Sequence, residues 1–276
     1  MSEPAPAPRR RGRPPSAAGD SGGEVQSLDR AILILEIVAG ADGIGLSEVA
    51  RRAELPNSTV HRLLATLQKR RLLDHDPESG SWTVGVGLFR IGSAYLRIRK
   101  LPDLGRPILR ELLQETGETV NLSMLDQREL VCVAQAESHA AVRAFFRLGR
   151  RLPIHASAAG KAILAASPPA LRRERVATLD FEPFTPNTRL SQRLLIADLA
   201  EVERRGFAID DEEHTAGMRC VAAAIHDEWG EAVGAVSVSG PSVRMPPERL
   251  ASVGALVKDA AGRLTALFSG RDLPDL

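Results

Sequence analysis

The fold of the N-terminal part of the chain is decided by residues 46–70, LSEVARRAELPNSTVHRLLATLQKR. Apolar residues recur there at helical spacing in two runs, first Leu46, Val49 and Ala50, then Val60, Leu63, Leu64 and Leu67. Leu55-Pro56-Asn57 separates the runs, because proline disfavours helix in the residue before it. Two short helices joined by a tight break are typical of a helix-turn-helix. Ser47 and either Asn57 or Ser58 are the predicted N-caps.

A further helix and a hairpin flank this pair. Apolar residues from Leu28 to Val38 fall on one helical stripe behind Ser27, a third predicted N-cap, and Gly40 ends the run. Residues 72–76 and 81–84 have the pattern of short strands around Pro77-Glu78-Ser79-Gly80, whose proline and glycine suit a chain reversal. The hairpin is predicted to be a wing, so residues 24–87 are expected to form a winged helix-turn-helix domain.

Length and composition set the protein class. With 276 residues the chain exceeds the usual size of one domain, about 100 to 200 residues, and two domains are expected. The chain contains no run of about 18 apolar residues, and its Pro- and Arg-rich N-terminus lacks the apolar core of a secretory signal. We therefore expect a cytoplasmic protein with no membrane partner. Cys132 and Cys220 are the only cysteines and have no zinc spacing, so neither a disulfide framework nor a metal site is expected.

The first 23 residues differ in composition from the rest. They contain almost no large apolar residue, so they are predicted to form a disordered basic arm. Residues 1–100 hold 15 Lys+Arg against 11 Asp+Glu, whereas the remaining 176 residues hold 21 against 24. Arg11-Gly12-Arg13-Pro14 resembles the AT-hook, in which Arg side chains enter a narrow A·T minor groove. The alternative is a generic basic tail.

Beyond residue 87 the pattern changes to mixed helices and strands. Residues 88–100 are predicted to form a linker helix, and residues 101–270 a second domain. Predicted strands cover residues 120–125, 130–136, 141–148, 208–210, 220–226 and 232–239, and predicted helices cover 104–115, 156–166, 194–205 and 250–268. Strands and helices that do not strictly alternate indicate an α+β domain.

One face of the second helix of the pair has the chemistry needed to read DNA. With its apolar stripe turned inward, that helix presents outward Ser58, Thr59, His61, Arg62, Thr66 and Lys69. Arg62 can pair bidentately with guanine in the major groove, and Arg51 beside the unit suits a phosphate contact. The alternative is a solvated polar face on an ordinary helical hairpin.

The second domain offers a set of residues suited to a small anion. Ala158-Ala159-Gly160 open a predicted helix, whose backbone N–H groups can hold a carboxylate. Polar side chains that could bind its other atoms lie on or near predicted strands, namely Asp210, Cys220, Ser237 and Ser239. The alternative is that these are simply inward strand residues. Residues 210–214, DDEEH, have metal-ligand types, but consecutive residues cannot all converge on one ion, and a solvated acidic segment is expected.

Enzyme motifs are absent from the sequence. The chain has His155 and Ala162 where a P-loop containing Lys161 would need glycine and Ser or Thr. Residues 236–240, VSVSG, lack the first glycine of a nucleophile elbow. We expect no catalytic residues and no cofactor.

The order of several separated motifs resembles the IclR family of bacterial transcription regulators over about residues 25–268. The motifs are QSLDRA at 26–31, LSEVA at 46–50, PNSTVHRLL at 56–64, TGETVNL at 116–122, LPIHAS at 152–157, GKA at 160–162, GFA at 206–208 and GMRCVA at 217–222. The resemblance implies a second domain similar to the GAF fold that binds an effector, and a ligand-responsive regulator of a metabolic operon.

Position by position, the resemblance implies backbone donors at Ala158, Ala159 and Gly160 and side-chain contacts from Asp210, Cys220, Ser237 and Ser239. Residues 143–147 and the Cys and Ser set are most similar to glyoxylate-responsive members, so a small 2-oxo acid is the expected effector. An aromatic or other carboxylate is the alternative, and the resemblance allows a homodimer or a dimer of dimers. An enzyme with a DNA-binding appendage and an architectural A·T-binding protein are the rival classes.

Overall fold

The computed structural model describes residues 25–98, 101–126, 129–144 and 147–269. The chain divides into two compact units, Met1–Ala94 and Tyr95–Leu276. The predicted arm, with Arg11 and Arg13, lies outside the described residues.

The first unit confirms the helix-turn-helix and the wing. Three helices, α1 (Gln26–Ala39), α2 (Leu46–Ala53) and α3 (Asn57–Lys69), accompany an antiparallel sheet of three short strands. These are β1 (Ile44–Gly45), β2 (Leu73–His75) and β3 (Ser81–Val84), in the order β1-β3-β2. The core contains Ile34, Val38, Val49, Val60, Leu64, Leu67, Leu73 and Trp82.

The predicted N-caps of these helices are wrong. The helices begin after Val25, Gly45 and Pro56, and none of these three residues makes a side-chain cap hydrogen bond. Each observed N-cap lies one or two residues before the predicted polar cap, so Ser27, Ser47, Asn57 and Ser58 lie inside the first turn. Side-chain capping is therefore replaced here by the packing of the three helices around a shared core.

The second unit is built on a six-stranded antiparallel sheet, in the order β6-β5-β4-β9-β8-β7. Its strands are β4 (Thr119–Asp126), β5 (Glu129–Ala136), β6 (Arg151–Leu152), β7 (Ala208–Asp211), β8 (Met218–His226) and β9 (Ala232–Pro241). Its helices are α5 (Leu101–Thr116), α6 (Ala158–Ala166), α7 (Pro169–Ala177), α8 (Gln192–Arg205) and α9 (Pro247–Phe268). The division between the units falls inside α4 (Val86–Ile98), where the predicted linker helix lies.

Strand alternation gives the sheet two different faces. Val120, Val236 and Val238 point to one face and pack with residues of α5 and α9. Ala222 and Ala235 point to the other face and pack with α6 and α8. Successive side chains of a strand point to opposite faces, so the polar residues that alternate with these apolar residues on β4 and β9 face α6.

Two predictions for this unit fail. The described part of residues 141–148 forms no strand; Val142 and Leu148 are exposed, and only Ala144 is buried, where its carbonyl accepts a hydrogen bond from Thr119 Oγ1 at 3.1 Å. Helix α7 was not predicted, because its sequence PALRRERVA buries only Val176 fully and has little apolar periodicity. Within the described ranges, every helix is too short or too polar to cross a lipid bilayer.

Candidate functional site

Helix α3 presents the predicted polar face to solvent. Ser58, His61, Arg62 and Lys69 are exposed and Thr59 is half-buried, while Val60, Leu64 and Leu67 fill the core behind them. Thr66 is also exposed, but its hydroxyl donates to the Arg62 carbonyl at 2.7 Å. The hydroxyl proton of Thr66 is therefore used within the helix, and only its oxygen lone pairs remain for an outside donor.

Arg51 lies in an ion cluster on α2. Its Nε and Nη2 donate to the Glu48 carboxylate at 2.8 and 2.6 Å, and Arg52 Nε donates to the same carboxylate at 2.7 Å. These bonds, with those from Arg51 the largest, lower the pKa of Glu48 to about 2. Because the cluster is exposed, a phosphate could compete with Glu48 for Arg51 at little cost.

In the second unit, the sheet register brings three predicted site residues into one row. Asp210 on β7 is the direct partner of Cys220 on β8, and Cys220 is the partner of Ser239 on β9. Ser237 lies two residues before Ser239 and pairs with Asn121 on β4. Antiparallel partners point to the same face, so all five side chains face α6.

Helix α6 begins over this row. Its N-cap Ser157 accepts a hydrogen bond from the Gly160 N–H at 3.2 Å and donates to the Pro153 carbonyl at 2.6 Å. Within the described residues, the N–H groups of Ala158 and Ala159, the first two residues of the helix, make no hydrogen bond. These two donors lie at the positive end of the helix dipole and can hold an anion.

The N–H group of Gly160, a predicted ligand donor, already donates a hydrogen bond to Ser157 Oγ. Gly160 lies outside the cavity lining, and its role is to allow close packing. A Cβ at this position would lie 2.2 Å from the Ile154 carbonyl oxygen, so only glycine fits.

Between α6 and the row lies a small cavity of about 20 Å³. Its lining includes six of the seven predicted residues, Ala158, Ala159, Asp210, Cys220, Ser237 and Ser239. Sequence reasoning missed the other five, Asn121, Cys132, Leu152, Ser157 and His214. The alternation of β4 and β5 could have identified Asn121 and Cys132. Leu152 and His214 lack such a signal, because a two-residue strand and a turn carry no periodicity.

Burial controls the protonation of the polar lining. Asp210 Oδ1 accepts hydrogen bonds from the Glu213 and His214 N–H groups at 2.7 and 3.3 Å, yet burial raises the pKa of Asp210 to about 7. Burial also raises the pKa of the Cys220 thiol, which stays protonated and donates to Ser239 Oγ at 2.9 Å. Asp210 is therefore about half ionised near pH 7, and its neutral form is the one that favours a bound anion.

A buried lysine lies directly behind the cavity. Lys161 is fully buried, and its Nζ donates to Asp198 Oδ2 at 2.6 Å and to Glu213 Oε1 at 2.5 Å. Its positive charge acts to lower the pKa of both Asp210 and Cys220, partly opposing the effect of burial. Sequence reasoning missed Lys161, because a lysine in a run of small residues is normally a surface residue.

This network corrects the prediction of a solvated acidic segment at residues 210–214. Asp210 and Glu213 are buried, with 4% and 1% of their surface exposed. The carbonyl of Glu213 also accepts a hydrogen bond from the Thr188 hydroxyl at 2.6 Å. Among the described residues, no group of three or more His, Cys, Asp or Glu is arranged to hold a metal ion.

Comparison with known proteins extends over both units. Residues 27–77 match the family described as the IclR helix-turn-helix domain, and residues 93–266 match bacterial transcriptional regulator IclR C-terminal. The chain is 43% identical over 262 residues to the HTH-type transcriptional regulator BhcR of Paracoccus denitrificans, covering 93% of this chain and 94% of that protein. It is 41% identical over 274 residues to the transcriptional repressor IclR of Escherichia coli, covering 96% and 98%.

A solved structure of an IclR homolog from Microbacterium hydrocarbonoxydans, complexed with 4-hydroxybenzoate, matches with a TM-score of 0.73 at 26% identity. The match covers 87% of this chain and 98% of the homolog. The curated relatives are transcription regulators and match along nearly the whole chain, so the protein is a ligand-responsive DNA-binding regulator and not an enzyme. The chain belongs to the IclR family of bacterial transcription regulators.

Proposed function

We propose that a small 2-oxo acid, with glyoxylate as the first candidate, binds in the cavity below α6 and controls operator binding by α3. The observation that carries the proposal is that Ala158 and Ala159, whose N–H groups make no hydrogen bond among the described residues, line a cavity with Asp210 and Ser239. N–H donors at the start of a helix can hold a carboxylate. Polar side chains opposite them suit an acid that also has an oxygen outside its carboxylate.

The geometry supports a role for each of the six predicted residues that line the cavity. The effector carboxylate accepts from the N–H groups of Ala158 and Ala159. Ser239 donates to the 2-oxo oxygen, and Ser237 lies beside it as a second hydroxyl. Cys220 positions Ser239 through the thiol hydrogen bond, and the protonated form of Asp210 donates to the effector.

Cavity size favours a short acid over an aromatic one. A space of about 20 Å³ holds roughly one water molecule, so even glyoxylate requires a small outward movement of the lining. A related structure holds 4-hydroxybenzoate, and an aromatic carboxylate is therefore the second candidate. The ring of an aromatic carboxylate needs a larger movement of the same lining residues, so we rank it as a weaker candidate than glyoxylate.

For the first unit, we propose that α3 enters the major groove of operator DNA. Arg62 reads a guanine, and the remaining exposed residues contact neighbouring base edges and phosphates, namely Ser58, Thr59, His61, Thr66 and Lys69. Arg51 contacts a phosphate, and Arg11 and Arg13 follow the minor groove. One helix reads only a short half-site, so a homodimer, or a dimer of dimers, binds a palindromic or repeated operator in the cytoplasm.

The effector proposal is tested by calorimetric titration of the full chain with oxo and hydroxy acids of two to four carbons. Acetate, which has no oxygen outside its carboxylate, is the control. We expect glyoxylate to bind more tightly than acetate and to change operator affinity in a mobility-shift assay, since a ligand acts only through its different affinities for two conformations. Absence of binding by every oxo acid would refute the effector assignment.

A further inference from the structure

The effector cavity adjoins a much larger space in the same unit. An open groove of about 780 Å³ runs along β6, α7 and residues 178–184. Among the described residues, the linings of the groove and of the 20 Å³ cavity share only Leu152 and His214. These two side chains therefore form the partition between the two spaces.

His214 is held in this position from both sides. Its N–H donates to Asp210 Oδ1 at 3.3 Å, which fixes the backbone beside the cavity. On the groove side, its ring packs edge-on against Phe184, with 5.2 Å between ring centroids. Phe184 in turn lies 5.7 Å from the ring of His155, whose Nε2 is 3.0 Å from the Glu182 carbonyl oxygen.

The turn that carries His214 is also fastened to the neighbouring segment. Thr185 Oγ1 donates to the Glu212 carbonyl and Thr188 Oγ1 to the Glu213 carbonyl, both at 2.6 Å. The turn cannot withdraw without breaking these bonds. Burial lowers the pKa of His214 to about 4, so its ring carries no charge near pH 7 and gives an anion no ionic attraction.

The groove has the chemistry to hold one aromatic ring beyond the partition. Phe184 and His155 present ring surfaces, and Leu171 and Leu179 add apolar area. Arg175 also lines the groove and adds a cation. An acid anchored at the start of α6 and extended past position 214 would place its substituent among these residues.

We propose that His214 is the specificity-determining residue of the effector site, limiting it to short acids by separating the cavity from the groove. Truncation of His214 joins the two spaces into one site that accepts a 2-oxo acid carrying an aromatic ring. The inference rests on the proposed effector site, and Leu152 remains as the fixed half of the partition.

The test compares glyoxylate with phenylglyoxylate, which keeps the 2-oxo acid group and adds a phenyl ring, by calorimetry on the full chain. We expect His214→Ala to raise the affinity for phenylglyoxylate relative to the affinity for glyoxylate by at least about tenfold over the wild-type ratio. The matched control is His226→Ala, a half-buried histidine that lines a different groove. This control should keep the wild-type preference for glyoxylate over phenylglyoxylate.

The outcomes separate this inference from the function on which it rests. If the wild type binds no oxo acid, the effector proposal itself fails. If it binds glyoxylate but His214→Ala still rejects phenylglyoxylate, the partition role is overturned. A wild-type series from glyoxylate through pyruvate to 2-oxopentanoate covers the case of a variant that does not fold. The affinity of the wild type should fall steeply as the 2-oxo acid becomes longer. Equal affinity for all three acids overturns the proposal.

Discussion

The thiol of Cys220 donates a hydrogen bond to the hydroxyl of Ser239, with 2.9 Å between Sγ and Oγ. The two residues are direct partners across β8 and β9, so the strand register sets this contact. A hydroxyl has one donor and two acceptor lone pairs, so Ser239 can accept from Cys220 and still donate its own proton. The cavity next to Ser239 is where that proton can reach an effector.

Ser239→Ala should therefore weaken glyoxylate binding by roughly ten- to a hundredfold, because a buried acceptor left unpaired costs about 1 to 3 kcal/mol. Operator affinity without effector should stay unchanged, and the effector-dependent change in operator binding should disappear. Calorimetry and mobility shift measure the two effects. Ser252→Ala, the same change on an exposed part of α9, is the control. If both Ser239→Ala and Cys220→Ser bind glyoxylate with wild-type affinity, Ser239 and Cys220 are not part of the effector site.

Asp210 gives a pH prediction. Burial raises its pKa to about 7, whereas in the unfolded chain it ionises near pH 4. Between these values the folded state binds more protons, so the contribution of Asp210 to stability is fully present below pH 4 and is lost as pH rises to 7. Asp210→Asn should therefore gain stability relative to the wild type between pH 5 and 8, by about 1.4 kcal/mol for each unit of pKa difference.

Denaturant unfolding at pH 5 and pH 8 measures this difference. The exposed carboxyl of Asp259 on α9 provides the control, since Asp259→Asn should show no comparable change. For the wild type, glyoxylate affinity should fall as pH rises through 7, because an ionised Asp210 repels the anion and can no longer donate to it. An Asp210→Asn variant with the same pH profile as the wild type would contradict the assignment.

Arg62→Ala should reduce operator affinity by about 1 to 3 kcal/mol, because the variant cannot form the bidentate hydrogen bonds to guanine. Stability should change little, since the side chain is exposed on α3. Arg173→Ala, an exposed arginine on α7 in the other unit, serves as the comparison and should bind operator like the wild type. Equal binding by both variants would show that Arg62 does not read a base.

Deletion of residues 1–23 should weaken operator binding and reduce the slope of log affinity against log salt by about 0.9 for each phosphate that the arm neutralises. Deletion of residues 1–8 is a sharp control, because that stretch contains no Lys or Arg. It should leave the salt slope intact. If the longer deletion has the same slope as the full chain, Arg11 and Arg13 make no ionic contact with DNA.

Gly160→Ala should destabilise the second unit by about 1 to 3 kcal/mol, because the added Cβ meets the Ile154 carbonyl oxygen and the backbone must move. Gly262→Ala on α9 makes the same change where nothing lies within 4 Å, and helix propensity predicts a gain of about 0.5 to 1 kcal/mol. Thermal unfolding compares the two. A stabilised Gly160→Ala would disprove the close packing of α6 on residue 154.

The helix-turn-helix, the wing and most elements of the sheet are predictable from sequence, because apolar periodicity and Pro or Gly breaks are local properties. The sequence also indicates that Asp210, Cys220, Ser237 and Ser239 lie on or beside strands. Helix starts were predicted wrongly at Ser27 and Ser47, since packing of the helices overrode side-chain capping there.

The way in which these residues meet depends on contacts between distant parts of the chain. The register of β7, β8 and β9 places Asp210, Cys220 and Ser239 in one row, and register depends on pairing between strands far apart in the chain. The burial of Lys161 and the partition at His214 follow from contacts with segments distant in the sequence, at Asp198, Glu213 and Phe184. No local pattern encodes such contacts, because the free energy of burying a charge or closing a cavity depends on every element packed around it.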